Sequence, residues 1–259
     1  MDTEATLAPG IPSDYYQRIF ENEERHWWYG GMLSITAALL GERLTRPGQR
    51  LLDAGCGTGG FLRWALDTGS LSYAAGVDIG SAAVELARGR VPEVDLRVAS
   101  LADVPFGDAT FDLVVSNDVL QHVPEAELRK SLSELRRVLA PAGVVLVRTN
   151  GARRLRQERA DWRAYSRDSL ATELRNAGLE PLRVTHANAV LSLWASARGR
   201  SPHAPSESRH GIPPRDRDGL RAAIGRRLLA AEARYLARPD RSIPYGHATF
   251  ALARRAPGS

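Results

Sequence analysis

The stretch Arg50-Leu-Leu-Asp-Ala-Gly-Cys-Gly-Thr-Gly-Gly60 decides the fold of this chain. An apolar run ends at a glycine-rich turn, and an amphipathic segment begins directly after that turn. Because glycine has no Cβ, Gly55, Gly57 and Gly59 let the backbone turn sharply and bring its N–H groups against a ligand at the helix start. The order of strand, turn and helix predicts the first unit of an α/β sheet, with a ligand at the turn.

The same alternation continues on both sides of this stretch. From about residue 50, short apolar runs alternate with amphipathic segments, as is typical of βαβ units on a parallel sheet. The predicted strands are 50–54, 73–78, 94–99, 111–116, 143–149, 182–185 and 248–253. The predicted helices are 59–68, 81–89, 125–139, one from about 166 to 177, and 219–237. Residues 13–44 also have helical spacing of their apolar positions.

This pattern predicts one elaborated α/β domain. The N-terminal helical cap is 1–45, the α/β core is 46–187, an insertion follows at 188–243, and the last strand with the tail is 244–259. Within the insertion, residues 199–218 are rich in Pro, Ser, Gly and charge, which predicts a flexible exposed loop.

The composition favours a globular protein of a reducing compartment. Hydrophobic residues make up 43% of the 259 residues, which is enough for a sizeable core. Cys56 is the single cysteine, so an intrachain disulfide is excluded, and no Cys/His cluster has the spacing of a metal site. The start of the chain does not resemble a signal peptide, and about 18 apolar residues never run together. We therefore expect a cytoplasmic protein without a membrane partner.

The charge is divided unevenly along the chain. Residues 1–150 carry a net charge of −6, whereas residues 151–259 carry +11. A basic half can face nucleic acid or an anionic substrate. However, 34 of the 35 basic residues are arginine, which is typical of a GC-rich coding bias. Arg153, Arg154, Arg156, Arg159 and Arg163 form a further cluster that either binds an anion or covers a solvated helix face.

Two classes of ligand compete for the glycine turn, because Gly55, Gly57 and Gly60 also satisfy the dinucleotide pattern Gly-x-Gly-x-x-Gly. Dinucleotides need the turn to hold a pyrophosphate. The carboxylate of Asp53 would lie badly beside a pyrophosphate, yet it suits a cationic ligand. In Leu51-Leu-Asp-Ala-Gly-Cys-Gly-Thr-Gly59 the chain closely resembles the first motif of class I S-adenosylmethionine-dependent methyltransferases. That resemblance implies S-adenosylmethionine as the cofactor and places Ala54 and Cys56 beside it.

Asp78 ends the second predicted strand, where a ribose is held in folds of this kind. Its carboxylate can accept both ribose hydroxyls, and Ile79 can lie against the adenine. The alternative is that Asp78 caps the helix that begins near Ser81.

The resemblance to these methyltransferases covers residues 50–150 and extends to later motifs. Val98-Ala-Ser-Leu-Ala-Asp-Val-Pro-Phe106 and Phe111-Asp-Leu-Val-Val-Ser-Asn117 resemble them, which implies that Ser100 and Leu101 approach the adenine and Asn117 the methionine portion. Glu23-Glu-Arg-His-Trp-Trp-Tyr29 resembles a subgroup that often has an arginine shortly afterwards, where this chain has Gly30-Gly31-Met32. The fold implied is a seven-stranded, mostly parallel sheet with helices on both faces, the cap, and the insertion before the last strand.

Methyl transfer mainly requires alignment of donor and acceptor and exclusion of water, so a base is helpful without being obligatory. His122 follows the fourth strand, and a neutral imidazole there could take a hydroxyl proton; a structural role is the alternative. His186 and His247 are further candidates for contact with the acceptor. Tyr16 is a candidate contact of the methionine carboxylate, and Trp28 could line the cofactor entrance unless it packs into the core.

We expect O-methylation of a small molecule, a sugar or a secondary metabolite, with the insertion and the cap forming the acceptor pocket. An amine or carbon acceptor stays open. The alternatives are an RNA methyltransferase, a protein that uses the cofactor only as a scaffold for a reaction such as cyclisation, and a nicotinamide dehydrogenase, which Asp53 argues against. Nucleic acid is not the expected partner, and whether the protein forms a homodimer stays open.

Overall fold

A seven-stranded sheet forms the centre of the computed structural model, which describes residues 14–151, 163–197 and 219–258. The strand order is β3-β2-β1-β4-β5-β7-β6, and β7 alone runs antiparallel to its neighbours. The predicted seven-stranded, mostly parallel sheet is therefore confirmed. The strands are β1 Gln49–Ala54, β2 Leu71–Asp78, β3 Asp95–Val98, β4 Phe111–Asn117, β5 Leu139–Asn150, β6 Leu179–Ala187 and β7 Ala248–Arg255.

Helices cover both faces of this sheet. They are α1 Tyr15–Glu23, α2 Trp27–Leu40, α3 Glu42–Thr45, α4 Gly60–Thr68, α5 Ser81–Arg90, α6 Glu125–Val138, α7 Arg167–Asn176, α8 Ala189–Ala197 and α9 Leu220–Leu236. The predicted helical region 13–44 consists of α1, α2 and α3, because the chain breaks between α1 and α2. His26 is extended there (ψ 128°), and its ring accepts the Trp28 amide at 3.2 Å, which starts a new helix.

The strand order places a ligand crevice between β1 and β4. From β1 the chain continues outward to β2 and β3, and then returns to place β4 on the other side of β1. The order of the strands thus reverses at this point, and in open α/β sheets ligands bind at the carboxyl ends of such strands. The apolar side chains of successive strand residues, such as Leu51 and Leu52, enter two separate cores on the two faces.

The cap and the insertion pack directly against each other through α2 and α9. A Cβ on Gly31 would lie 2.2 Å from Leu229 Cδ1, and a Cβ on Gly225 would lie 2.6 Å from the Trp27 ring. Glycine at both positions therefore allows the two helices to approach closely. Glu232 of α9 accepts the amides of Asn188 and Ala189 at 2.6 and 2.8 Å, so α9 also holds the start of α8 at the end of β6.

Some predictions fall outside the described residues. These are the flexible loop 199–218 and the arginines Arg153, Arg154, Arg156 and Arg159. The domain boundaries stay predictions. Within the described part of the chain, every helix is too short or too polar to cross a lipid bilayer.

Candidate active site

The glycine turn lies between β1 and α4, at the predicted crevice. Gly55, Gly57 and Gly59 all have positive φ angles, of 89°, 51° and 82°. A side chain on Gly55 would meet Val119 at 2.1 Å, whereas a Cβ on Gly57 would face open space. The turn therefore needs glycine for its conformation, and it leaves room for a ligand above Gly57.

The amide groups of the turn are bonded to the protein itself, which corrects the expectation that they face a ligand. The amides of Gly55 and Cys56 donate to the Val77 carbonyl at 2.7 and 2.9 Å. The Gly57 amide donates to Asp78 Oδ2 at 2.9 Å. These donors are consumed because the turn is tied to the end of β2, so they are not available for a phosphate.

Glu23 closes the amino end of α4. Its carboxylate accepts hydrogen bonds from the Thr58 hydroxyl and the Gly60 amide. The Arg90 guanidinium donates to it at 2.5 Å. Burial raises the pKa of Glu23, and the contacts with Thr58 and Arg90 oppose that rise. A pyrophosphate at this helix end would meet a carboxylate, so a dinucleotide does not fit the turn.

Asp53 is a buried carboxylate at the end of β1, with 2% of its surface exposed. Its Oδ1 atom is buried and has no hydrogen-bond partner among the described residues. Burial raises its pKa well above the usual range, the charges of Glu23 and Asp78 add to the rise, and Arg148 opposes it. A buried carboxylate of this kind is satisfied by a cationic ligand, which is the property expected of S-adenosylmethionine.

The Asp78 carboxylate binds the glycine turn and can still accept a further hydrogen bond. Oδ1 accepts the Gly80 amide at 2.8 Å, and Oδ2 accepts the Gly57 amide. The Ile79 amide also acts on this carboxylate. Because a carboxylate has about four acceptor sites, at least one is left for a ribose hydroxyl. The alternative also has support, since Gly80 is the N-cap residue of the helix from Ser81 and its amide donates to Asp78.

An exposed apolar surface adjoins Asp78. Ile79 is 64% exposed, and Val98, the register partner of Asp78 on β3, is 49% exposed. Two exposed apolar side chains at neighbouring strand ends fit the flat face of an adenine. Ser100 follows β3, and its Oγ accepts the Ala102 amide at 3.1 Å, while Leu101 is buried.

Three further predicted cofactor residues lie at the ends of β1 and β4. The Ala54 carbonyl accepts the Ser116 hydroxyl at 2.8 Å. The Cys56 thiol is buried, and burial raises its pKa well above the usual range, which disfavours the thiolate that a nucleophile requires. Asn117 Oδ1 is buried and has no partner in the described ranges. Asn117 thus joins Asp53 as an acceptor without a donor.

Tyr16 and Trp28 come from the cap and lie at different parts of the crevice. The Tyr16 hydroxyl is so close to Gly80 that a Cβ there would lie 2.5 Å away. Burial and the Asp78 charge raise the pKa of Tyr16. The Trp28 ring lies 5.4 Å from Cζ of Arg148 on β5, whereas Trp27 contacts α9. One tryptophan therefore lies over the strand ends and the other packs between helices.

The three candidate histidines lie in different parts of the structure. His122 is exposed in the loop after β4. His186 is buried on β6, with Nδ1 3.0 Å from the Thr249 hydroxyl, which itself donates to the Tyr165 carbonyl. Burial lowers the pKa of His186. His247 is buried just before β7, and its carbonyl accepts the Gly151 amide at 2.8 Å, which places it near the carboxyl end of β5.

Four residues of this region were missed by sequence reasoning: Glu23, Arg90, Val98 and Arg148. Glu23 and Arg90 are far apart in the chain and meet only in the fold. Val98 could have been found, because it ends a strand next to the strand of Asp78.

The chain matches known methyltransferases in sequence and in fold. A family model described as a methyltransferase domain matches residues 52–147. The malonyl-[acyl-carrier protein] O-methyltransferase of Enterobacter lignolyticus (strain SCF1) is 32% identical over 199 residues, which is 74% of each chain. That of Serratia marcescens is 36% identical over 124 residues, 48% of this chain and 47% of the relative. The chain spans about half the length of the first curated relatives it matches.

A solved structure shows the same fold. The geranyl diphosphate methyltransferase in complex with GPP and sinefungin has a TM-score of 0.60 and 20% identity, and the match covers 98% of this chain and 86% of that one. At this identity the likeness concerns the fold alone.

Proposed function

Because this chain belongs to the class I S-adenosylmethionine-dependent methyltransferases, we propose that it methylates a hydroxyl group of a small molecule, a sugar or a secondary metabolite. We infer that the acceptor is small from the cover that α2 and α9 form. Trp28 reaches Arg148 near the end of β5, and Glu232 reaches the start of α8 after β6. Such a cover favours a small acceptor over folded RNA.

The crevice fits the cofactor in its distribution of charge and apolar surface. Asp53 and Asn117 would face its cationic methionine portion, Asp78 would accept the ribose hydroxyls, and Ile79 with Val98 would lie against the adenine. When bound, S-adenosylmethionine supplies a methyl group activated by a sulfonium. The protein's share is to orient the two partners and to exclude water.

His122 is the proposed general base. Formation of an ether from a hydroxyl and the activated methyl group releases one proton, which an imidazole near the crevice can accept. His122 follows β4 and is exposed, so an acceptor can reach it. His247, near the end of β5, is the second candidate. His186 is the weakest of the three, because Thr249 already engages its Nδ1.

A labelled-methyl assay tests this proposal. The protein is incubated with methyl-labelled S-adenosylmethionine and separate sets of hydroxyl, amine and carbon-acid small molecules, with unmodified tRNA as a further set. We expect label in hydroxyl compounds and none in the corresponding O-methyl-blocked compounds. Label in tRNA, or in amines alone, would reject the proposal. Binding of the cofactor without any labelled product would favour the scaffold alternative.

A further inference from the structure

Arg148 is a buried arginine near the carboxyl end of β5. Its register partners are Asn117 on β4 and Phe250 on β7, so it lies in the interior of the sheet. Only 6% of the residue is exposed. A buried guanidinium is costly unless its charge and its donors are matched, so this position needs an explanation.

The contacts of Arg148 leave part of the guanidinium unmatched. Its Nη2 donates to Asp118 Oδ2 at 2.8 Å, and the Trp28 ring covers it at 5.4 Å. Its Nε is buried and has no hydrogen-bond partner within the described ranges. The Nε atom of Arg90 also lacks a hydrogen bond within the described ranges, but the Glu24 carboxylate lies 3.2 Å from it, and Glu23 and the Phe20 carbonyl accept from the Nη atoms.

On one face, neighbouring strand ends carry three buried atoms that have no hydrogen-bond partner among the described residues. They are Asp53 Oδ1 on β1, Asn117 Oδ1 on β4 and Arg148 Nε on β5. Strands β1, β4 and β5 are adjacent, and Arg148 is near enough to Asp53 for its charge to act on that carboxylate. Two acceptors followed by one cationic donor complement an ammonium next to a carboxylate, as in an α-amino acid.

The local charges indicate which ligand supplies that carboxylate. Asp53, Asp78 and Asp118 surround the crevice, and Arg90 is already neutralised by Glu23. A region with this excess of carboxylates favours a ligand of net positive charge over an anionic acceptor. S-adenosylmethionine has that charge, and its only anionic group is the methionine carboxylate.

We infer that Arg148 binds the methionine carboxylate of the cofactor through Nε, next to Asp53 and Asn117. The inference rests on the proposed cofactor binding and is independent of the acceptor. It assigns to β5 a contact that the sequence had suggested for Tyr16, whose hydroxyl lies beside Gly80 at the Asp78 end. Arg148 would therefore recognise the cofactor by the carboxylate of its methionine portion.

Calorimetric titration with two matched ligands tests the inference. One is S-adenosylhomocysteine, and the other is its decarboxylated analogue, which keeps the amino group and lacks only the carboxylate. We expect the wild-type protein to prefer S-adenosylhomocysteine by about ten- to a hundredfold, the range for a hydrogen bond to a charged group. Arg148→Gln should bind both ligands alike.

Arg148→Lys is a second variant that is less disruptive to the fold, because it keeps a positive charge as the partner of Asp118. It removes the Nε–H group. It should also lose most of the preference. Arg183→Lys on β6 is the matched control and should keep the full preference, since Arg183 donates to the Leu236 and Arg241 carbonyls away from Asp53.

Equal affinity of the wild-type protein for the two ligands would overturn the inference and point to an acceptor carboxylate instead. A preference that survives in both Arg148 variants would overturn it as well, and would leave Arg148 as a partner of Asp118. The titration needs no acceptor, so a failed inference is distinguishable from a failed proposal about hydroxyl methylation.

Discussion

The Glu23 carboxylate lies 2.5 Å from the Arg90 guanidinium, where α1, α5 and the amino end of α4 meet. Arg90 also donates to the Thr58 carbonyl at 2.8 Å and to the Phe20 carbonyl at 2.6 Å. The pair therefore ties the N-terminal cap to the glycine turn. It also places the protein's own anion at the helix end that binds phosphate in many α/β proteins.

Replacement of Arg90 should destabilise the fold strongly. In Arg90→Met the largely buried Glu23 carboxylate keeps Thr58 and the Gly60 amide but loses its cationic partner, and such losses cost about 3–5 kcal/mol of unfolding free energy. The measurement is urea denaturation at neutral pH. Arg88→Met is the control on the same helix, because Arg88 is about half exposed and should cost less than about 1 kcal/mol. Equal losses in the two variants would show that the buried pair has no special role.

Asp53→Asn should stabilise the free protein while weakening its affinity for the cofactor. Because the pKa of Asp53 is raised in the folded state, the wild-type protein loses stability as pH rises through the interval between the unfolded and folded pKa values. The variant lacks that loss. Its unfolding free energy should exceed that of the wild type by roughly 1–3 kcal/mol at pH 8 and by little near pH 4.

Urea denaturation at both pH values checks the Asp53 prediction, with the exposed Asp103→Asn as the control. Asp103→Asn should change the unfolding free energy by less than about 0.5 kcal/mol at either pH. The prediction would be contradicted if the gain in unfolding free energy of Asp53→Asn over the wild type were smaller at pH 8 than at pH 4. Burial of the charged carboxylate would then not destabilise the free protein.

Gly31→Ala should loosen the contact between the cap and the insertion. The added methyl group would overlap Leu229, and overpacking of this kind costs about 1–3 kcal/mol. Gly30→Ala is the matched control in the same helix. No atom lies within 4 Å of a Cβ at Gly30, so alanine should raise stability by up to about 1 kcal/mol. Thermal unfolding of the two variants should therefore shift in opposite directions, and a parallel shift would refute the close packing of α2 and α9.

His122→Ala should lower turnover by roughly 10²–10⁴ without a comparable loss of cofactor affinity, if His122 is the general base. The roles are separable, because the proposed cofactor contacts lie on β1, β2 and β4 while the proton is removed only as the acceptor reacts. A variant that keeps more than about a third of the wild-type turnover would assign His122 a structural role.

The strands and the glycine turn were predictable because their signals are local. Short apolar runs and the turn around Gly55 depend on neighbouring residues in the chain. The 24–26 break was missed because the His26 cap depends on ring geometry. The helix α8 was missed because a short apolar run has no distinctive period.

Long-range pairs in the site were not predictable by the same means. Glu23 and Arg90 are brought together by the packing of α1 on α5, and nothing local to either residue indicates a partner. Arg148 was one arginine among many in an arginine-rich sequence, and only the sheet register shows that it lies beside Asn117. The role of such residues can be inferred only after the pairing of the strands is known.

Binding of S-adenosylhomocysteine and NAD to the wild-type protein and to Asp78→Ala tests the central claim most directly. We predict that S-adenosylhomocysteine saturates one site per chain, that Asp78→Ala weakens this binding at least tenfold, and that NAD gives no binding heat. The loss is expected because Asp78 would accept the ribose hydroxyls and also holds the Gly57 amide. Saturable binding of NAD without binding of S-adenosylhomocysteine, or undiminished affinity in a folded Asp78→Ala variant, would contradict the account.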